Sequence, residues 1–157
     1  MLLTLVVACT GKQQATGQES SMADQTSLIS PNKEFESPGA QALDVARKIL
    51  GIPYRYCGIN MKGFDCSGLA RDAFKQCGTM LPRTSRVIFR VVERIDPQKI
   101  EPGDLVFIAL SANKISHGGI YAGQSRFIHS PSSGKGGSYA SRENPYWQKR
   151  LVAAGRF

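Results

Sequence analysis

The sequence predicts a mixed fold in which helices come first and a β-sheet follows. In two segments of the first half, apolar residues recur at intervals of three and four, which is typical of helices with one buried face. The second half holds an uninterrupted apolar run and then two apolar segments joined by a short turn, which indicate a buried strand and a β-hairpin. With 157 residues, 41% of them hydrophobic, the chain can build one domain with its own core.

The first helix is predicted from Pro38 to Leu50. Gly51 ends it, and Pro53 follows at a point where a helix could not continue. Its buried face is formed by apolar residues at helical spacing: Ala42, Val45, Ala46, Ile49 and Leu50.

The second helix is predicted to begin at Cys66, with Asp65 as its N-cap and Gly63 supplying an unusual backbone angle before it. Gly78 ends this helix. A thiol in the first helical turn lies among free N–H groups at the positive end of the helix dipole, and both favour the thiolate. Cys66 is therefore a candidate nucleophile, and the alternative is a buried, inert cysteine. The apolar positions that predict the helix are Leu69, Ala70, Ala73, Phe74 and Cys77.

Between the helices and the hairpin, the pattern predicts a central strand. Residues 86–92 fit either a short helix or a strand, and Glu101–Asp104 is a turn. Leu105–Leu110 is apolar at every position, so we expect a strand that is covered on both faces. Ser111–Ser116 is predicted to be a polar loop.

The two histidines of the chain are predicted to share one face of the hairpin. If the hairpin is symmetric about Gly123, His117 faces His129 directly, with about 5 Å between their Cβ atoms, and Gly119 lies opposite Phe127. One imidazole would then take a proton from a thiol while the other orients it. The alternative for each histidine alone is an ordinary surface or core position.

Several short motifs, taken in order, resemble the NlpC-type papain-like cell-wall cysteine peptidases, and the resemblance covers roughly residues 40–157. It implies a papain-like α+β fold, with the nucleophile-bearing helix packed on an antiparallel sheet. The sheet would contain Leu105–Ala109, His117–Tyr121, Arg126–His129 and a strand near Leu151–Phe157. The motifs are Tyr54-Arg55-Tyr56-Cys57-Gly58, Gly63-Phe64-Asp65-Cys66-Ser67-Gly68, Leu81-Pro82-Arg83, Pro102-Gly103-Asp104-Leu105, His117-Gly118-Gly119-Ile120-Tyr121, Phe127-Ile128-His129 and Pro145-Tyr146-Trp147.

The resemblance also implies a role for individual residues. Cys66 would be the nucleophile, His117 the general base and His129 the residue that orients it. The backbone N–H of Cys66 and the hydroxyl of Tyr54 would stabilise the oxyanion. The implied reaction is amide hydrolysis through a thioester in peptidoglycan stem peptides, and it needs no cofactor or metal. We expect the protein to be a monomer.

Three further residues, Asp65, Ser67 and Ser85, match family positions that contact the peptide groups of the substrate. The sequence departs from the family pattern at Cys57, where a glycine is usual, and at Ile88, where a glutamine is frequent. Both departures leave the shape of the substrate groove open.

The other cysteines of the domain, Cys57 and Cys77, could form a disulfide in an exported protein, but we prefer free, buried thiols for both. Cys66 and Cys77 should not bridge, because a continuous helix would hold them about 16 Å apart. The spacings of nine and eleven residues between the three cysteines differ from those of structural zinc sites, so we expect no metal.

Residues 1–9 are almost wholly apolar, too short to span a membrane, and resemble the end of a lipoprotein signal in which Cys9 is lipidated. Since no Lys or Arg lies upstream, a late start codon and a chance apolar run both stay open. Residues 10–37 are predicted to be a flexible tether, or a tail without a role, and residues 38–157 the peptidase domain. Because Thr10 is not the aspartate that retains such proteins in the inner membrane of enterobacteria, we expect lipid anchoring on the periplasmic side of the outer membrane.

The chain has 20 Lys and Arg against 12 Asp and Glu, a net charge of +8. The basic residues are scattered, and the sequence has no zinc-finger spacing and no glycine-rich phosphate loop, so we expect no nucleic-acid partner. The charge fits either an anionic polymer partner or simple solubility.

Three functions remain: a peptidase on stem peptides, a module that binds peptidoglycan without cutting it, and an acyl transferase or amidase acting on another envelope polymer. The presence of Cys66, His117, His129 and Tyr54 argues against the binding module. For a peptidase, the cross-link between diaminopimelate and D-alanine is slightly favoured over the D-glutamyl to diaminopimelate bond.

Overall fold

The computed structural model describes residues 36–111, 114–132 and 134–157. The predicted signal segment, the lipidation site Cys9 and nearly all of the predicted tether lie outside these residues. Within the described ranges, no helix combines the length and the apolar character that crossing a membrane requires.

Four helices precede or flank the sheet. α1 runs from Pro38 to Lys48 and α2 from Cys66 to Gln76, as the apolar spacing predicts. α3, Ser85–Val91, settles the segment that the sequence left open between helix and strand. It is a helix because the Thr84 hydroxyl accepts a hydrogen bond from the Val87 N–H and caps its first turn. α4 is the short helix Pro145–Gln148.

The main sheet has six antiparallel strands in the spatial order β3-β8-β4-β5-β6-β7, and β1 and β2 form a separate small hairpin. The four predicted strands are confirmed. The short strands β3 and β7 were not predicted, because each is mostly polar and shows no apolar alternation. In chain order, the strands are β1 Ile59–Asn60, β2 Gly63–Phe64, β3 Glu93–Ile95, β4 Leu105–Ser111, β5 Lys114–Gly123, β6 Arg126–His129, β7 Ser138–Ser141 and β8 Leu151–Arg156.

β4 is the central strand and is covered on both faces, as predicted. Leu105 and Phe107 belong to a large apolar core shared with α1, α2 and α3. Val106 and Ile108 point to the opposite face, where they belong to a second, smaller cluster. The sheet therefore separates a helical layer from this second cluster, to which Trp147 of α4 also belongs.

The predicted polar loop at Ser111–Ser116 is wrong at both ends. Ser111 is the last residue of β4 and pairs with Lys114, the first residue of β5. The backbone ladder continues into this exposed end because main-chain hydrogen bonds do not depend on whether the side chains are apolar.

The register predicted for the hairpin of the two histidines, now β5 and β6, is also wrong. Ile120 pairs with Ile128, so by continuation Gly119, and not His117, lies opposite His129. The reason is the turn: Gln124 and Ser125 both have positive φ, at 51° and 55°, as in a two-residue type I′ turn, and a bulge precedes it between Tyr121 and Gly123. Because the strands are offset from the prediction by two residues, both histidines keep the same face.

Asp104 joins the centre of the sheet to its neighbour β8. Its side chain, which is almost fully buried, accepts hydrogen bonds from Nε and from a terminal nitrogen of Arg156 at 2.8 and 2.9 Å. It also accepts one from the Glu101 N–H at 2.7 Å, which closes the turn before β4. The Pro-Gly-Asp motif is thus a structural feature of the sheet.

Candidate active site

Cys66 is the first residue of α2, and its position is fixed by the turn before it. Asp65 caps the helix, its Oδ1 accepting a hydrogen bond from the Gly68 N–H at 2.7 Å, as predicted. The Asp65 N–H donates to the carbonyl of Gly58 at 3.1 Å. A Cβ on Gly68 would lie only 2.0 Å from that carbonyl oxygen, so this position must be glycine for helix and loop to meet. As the first helical residue, Cys66 has a backbone N–H without an intrahelical acceptor.

Tyr54 is held beside this turn by backbone hydrogen bonds on both sides of it. The Arg55 N–H donates to the Phe64 carbonyl, and the Phe64 N–H donates to the Pro53 carbonyl, each at 3.1 Å. Burial, followed by the charge that Cys66 would carry as a thiolate, raises the pKa of the Tyr54 hydroxyl. The hydroxyl therefore stays protonated and can donate a hydrogen bond.

Cys66 is partly buried, and its thiol contacts the Ser85 hydroxyl at 3.7 Å, Sγ to Oγ. Burial raises its pKa above the ordinary value, and Asp65 adds to this. The Ser85 hydroxyl and the N–H groups of Ser67 and Gly118 oppose the rise without outweighing it. The N–H groups therefore favour the thiolate, as predicted, but desolvation is the larger effect, so the thiol is not activated by its position alone and a base is needed to remove the proton.

The two histidines form a buried hydrogen-bonded pair. Nε2 of His117 lies 2.8 Å from Nδ1 of His129, although the two residues are diagonal in the hairpin and not directly opposite. Burial lowers the pKa of His117 to about 4, partly opposed by the charge of Asp65. Burial and the neighbouring His117 lower the pKa of His129 to about 3. Both rings are neutral at pH 7, so one nitrogen of the pair donates to the other.

Trp147 packs against both histidines. Its ring stacks on His117, with centroids 5.9 Å apart and planes at 18°, and meets His129 edge-on at 5.0 Å. Phe127 lies 5.2 Å from the His129 ring. These rings shield the hydrogen bond between the histidines from water. The motif containing Trp147 was visible in the sequence, but nothing in the local pattern showed that it would cover the histidines.

Ser130 is a second residue whose part was missed. It is fully buried, and its hydroxyl donates to the Phe64 carbonyl at 2.8 Å. This bond ties the end of the strand carrying His129 to the residue two positions before Cys66. A serine after a histidine gives no sequence signal for such a long-range contact.

Arg83 binds two of the residues that were predicted to contact the substrate, Asp65 and Ser67. Its guanidinium binds both carboxylate oxygens of Asp65, at 3.2 and 2.5 Å, and donates to the Ser67 hydroxyl at 3.0 Å. Burial raises the pKa of Asp65, but the hydrogen bonds from Arg83 and the Gly68 N–H outweigh it, and the net shift is downward. Asp65 is therefore ionised, and a substrate that approaches it also meets the partly exposed guanidinium of Arg83.

One cleft of about 440 Å³ collects most of the predicted site. His117 and His129 lie outside its lining, and His117 borders a second cleft of about 310 Å³. The first cleft brings together the predicted residues Tyr54, Asp65, Cys66, Ser67 and Ser85.

The two departures from the family pattern have different outcomes. Cys57 lines the first cleft, with φ of 57°, whereas Ile88 is buried in the core and does not line it. Cys57 and Cys77 are free, as preferred, but the expectation that both are buried is wrong: Cys57 is exposed and Cys77 half-buried. Among the described residues, no cluster of three or more His, Cys, Asp or Glu is placed to hold a metal ion.

Residues 51–156, about two thirds of the chain, match the model of the NlpC/P60 family. The chain belongs to the NlpC/P60 family. Solved NlpC/P60 structures superpose on it. A lipoprotein-like protein from Staphylococcus aureus has a TM-score of 0.68 and 30% identity, covering 76% of this chain and 41% of that one. A family member from Bacillus cereus has a TM-score of 0.72 and 27% identity, covering 76% and 40%. The predicted papain-like α+β fold is confirmed.

Three curated relatives differ in the share of their length that the chain covers. The gamma-DL-glutamyl hydrolase of Bacillus subtilis is 41% identical over 116 residues, 71% of this chain and 28% of that protein. The probable endopeptidase NlpC of Escherichia coli is 39% identical over 111 residues, 68% and 70% respectively. The murein DD-endopeptidase MepS/murein LD-carboxypeptidase of Escherichia coli is 34% identical over 152 residues, 91% and 76%. The chain spans only 28% of the length of the Bacillus subtilis hydrolase. It spans 34% of a second Bacillus subtilis relative, the bifunctional muramidase/DL-endopeptidase CwlT, and 22% of the probable endopeptidase p60 of Listeria monocytogenes.

Proposed function

We propose that this NlpC/P60 domain is a cysteine peptidase that hydrolyses amide bonds in peptidoglycan stem peptides through a thioester. The observation that carries the proposal is the buried pair of neutral histidines, His117 and His129, whose ring nitrogens lie 2.8 Å apart. The strand of His129 is tied through Ser130 to the turn before Cys66, which places a thiol at a helix N-terminus. A base, its orienter and a nucleophile are the groups that acyl transfer from an amide requires.

In the first half of the reaction, Cys66 attacks the amide carbonyl carbon. As the S–C bond forms, Nδ1 of His117 takes the thiol proton, because its Nε2 is engaged with His129. The resulting oxyanion accepts hydrogen bonds from the Cys66 N–H and the Tyr54 hydroxyl, an arrangement worth several kcal/mol in related sites. When the C–N bond breaks, His117 gives its proton to the leaving amine and an acyl thioester remains on Cys66.

In the second half, water hydrolyses the thioester. His117, again neutral, takes a proton from the water as its oxygen attacks the acyl carbon. The C–S bond then breaks, the proton returns to the sulfur, and a carboxylic acid leaves. His129 holds His117 in one tautomer through both halves, and Trp147 keeps water from competing for that hydrogen bond.

The names of the relatives support hydrolysis over binding. Those compared above are called hydrolase or endopeptidase. The fold alone would not decide, since one structural neighbour from Mycobacterium tuberculosis, 19% identical with a TM-score of 0.64, is described as a non-catalytic NlpC/p60 domain protein adapted to peptidoglycan binding. The proposal therefore rests on the side chains of Cys66, Tyr54, His117 and His129.

Between the two candidate bonds, we favour the cross-link from D-alanine to diaminopimelate. The alignment with the DD-endopeptidase relative extends over 91% of this chain and 76% of that protein. The second candidate is the D-glutamyl bond to diaminopimelate, which is favoured by the higher identity, 41%, to the gamma-DL-glutamyl hydrolase.

Lipidation at Cys9, anchoring to the periplasmic side of the outer membrane and a monomeric state belong to the same proposal. Lipidation is supported by the Val6-Val7-Ala8-Cys9 sequence and by a solved relative whose description includes a similarity to a lipoprotein. Expression of the full chain with labelled palmitate should give a labelled protein that a Cys9→Ala variant does not give. Equal labelling of the two proteins would contradict lipidation at this residue.

Digestion of purified diaminopimelate-type peptidoglycan tests the activity. Residues 38–157 and a Cys66→Ala control would be incubated with it, and the products read by mass spectrometry. New monomers from cross-linked dimers, absent in the control, are expected. Loss of the stem beyond D-glutamate would establish the second candidate bond. Binding by both proteins without cleavage would overturn the peptidase in favour of a binding module.

A further inference from the structure

Two clefts border the proposed catalytic groups, one at Cys66 and the other at His117. The acyl cleft, as we name the first, contains Cys66 and Tyr54. The aromatic cleft is the second, with a volume of about 310 Å³. It is lined by Leu110, His117, Pro131, Ser132, Tyr146 and Trp147. Among the described residues, Cys66 lines only the first of these two clefts and His117 only the second.

The chemistry of the proposed reaction assigns each half of the substrate to one cleft. The carbonyl carbon must reach the sulfur of Cys66, with its oxygen near Tyr54, so the acyl half lies in the acyl cleft. The leaving nitrogen must receive its proton from His117, so it lies on the other side of the scissile bond. The amine half then continues from His117 into the aromatic cleft.

We propose that the aromatic cleft binds the amine half of the substrate through its aliphatic chain, an inference that rests on the proposed function. In both candidate bonds the amine belongs to diaminopimelate, so the carbon that bears the leaving nitrogen also bears a chain of methylene groups. The assignment therefore holds whichever bond is cut.

The lining of the aromatic cleft suits such a chain. Leu110 and Tyr146 are large apolar side chains left 40% and 49% exposed, and Trp147 completes the wall beside His117. Arg150 stacks on the Tyr146 ring at 3.9 Å and donates to the Tyr146 carbonyl at 2.8 Å, which holds that ring in place. Binding of methylene groups against this preformed apolar wall beside the catalytic base is favourable, because it removes apolar surface from water.

Kinetics with two substrates that share one acyl half test the inference. One substrate has diaminopimelate as its leaving amine and the other has methylamine. Leu110→Ser and Tyr146→Ala should lower kcat/KM about tenfold for the first substrate and less than twofold for the second. Tyr56→Ala, the matched variant in the acyl cleft, should lower kcat/KM by the same factor for both substrates. If the aromatic-cleft variants affect both substrates equally, the assignment is overturned.

A binding measurement separates this inference from the proposed activity. Trp147 is the single tryptophan of the chain, so its fluorescence reports on the aromatic cleft. Titration of Cys66→Ala protein with diaminopimelate amide should shift the emission, and Leu110→Ser in the same background should weaken the apparent affinity about tenfold. An unchanged emission would overturn the inference. A shift in a protein whose wild type cuts neither substrate would sustain the binding site and refute the peptidase.

Discussion

Two aspartate–arginine pairs of this domain have the same chemistry and different tasks. Asp65 pairs with Arg83, and Asp104 with Arg156, each through two hydrogen bonds to one guanidinium. In both pairs, the hydrogen bond to the aspartate is the main reason that the pKa of the arginine is raised. Both pairs are therefore two-point ion pairs between a guanidinium and a carboxylate, although Arg83 binds through its two terminal nitrogens and Arg156 through Nε and one terminal nitrogen.

Their surroundings make the difference. Asp65 lies next to Cys66, lines the acyl cleft, and its charge opposes the lowering of the His117 pKa. Asp104 joins the turn before β4 to β8 and lines none of the clefts discussed above. An ion pair is thus part of a site when its charge reaches a reacting group, and part of the scaffold when it only joins elements.

The largest expected effect comes from breaking the pair beside the proposed nucleophile, Cys66. Asn at position 65 can still cap the helix but carries no charge, so Arg83 is left unpaired and His117 becomes harder to protonate during the reaction. We expect Asp65→Asn to lower kcat/KM on the order of 10²-fold, within the usual contribution of acid–base catalysis. The free energy of unfolding should fall by much less than the activation free energy rises. Steady-state kinetics and urea unfolding of the same preparation check both, and a normal kcat/KM would remove Asp65 from the site.

Breaking the second pair, Asp104 and Arg156, should lower stability much more than activity. Arg156→Met leaves the buried carboxylate of Asp104 without its cation, which typically lowers the free energy of unfolding by 3–5 kcal/mol for a fully buried pair. Because the Arg156 side chain is 38% exposed, we expect about 3 kcal/mol or less. Folded protein should keep kcat/KM within about twofold. A large loss of kcat/KM at full folding would show that the two pairs do not divide the tasks.

Acid titration separates the histidine pair from the carboxylates. The pKa of His117 is about 4 when folded, against 6.5 as its ordinary value, so the unfolded chain takes up the proton first as the pH falls. Stability should drop between about pH 6.5 and pH 4, by roughly 3 kcal/mol for His117 alone. The lowered pKa of Asp65 acts only below its unfolded value of about 4, where stabilisation is lost as the carboxylate is protonated. In a His117→Gln variant, the loss of stability between about pH 6.5 and pH 4 should become smaller. Urea unfolding at a series of pH values measures this loss.

The smallest expected effect is a gain in stability at the cleft edge. Cys57 has φ of 57°, in the left-handed region that is strained for residues other than glycine. We therefore expect Cys57→Gly to raise the free energy of unfolding by about 1 kcal/mol, and Cys57→Ala to leave it nearly unchanged. Thermal or urea unfolding of the two variants gives the comparison. Equal stability of both would mean that the loop carries no strain at this position.

Local patterns predicted the parts of this fold that depend on neighbours in the chain. The spacing after Cys66 predicted α2, its cap and its end, and the apolar run at Leu105–Leu110 predicted the central strand. The hairpin register failed because it depends on φ values at Gln124 and Ser125 that residue types do not announce.

The missed parts of the site all depend on contacts between distant segments. Arg83 reaches Asp65 across 18 positions, and Ser130 reaches Phe64 across 66. The burial that raises the pKa of the Cys66 thiol comes from packing, and no local pattern carries it. Sequence motifs therefore gave the proposed reacting groups, but neither the residues that support them nor their protonation states.

The most direct test of the account is to look for the acyl group on Cys66. Protein mixed with a stem-peptide substrate and quenched in acid should show a mass increase equal to the acyl half, which peptide mapping places on Cys66. The adduct should be absent in Cys66→Ala and much slower to form in His117→Ala. Substrate cleavage that persists in Cys66→Ala, without any adduct on the wild-type protein, would contradict the account.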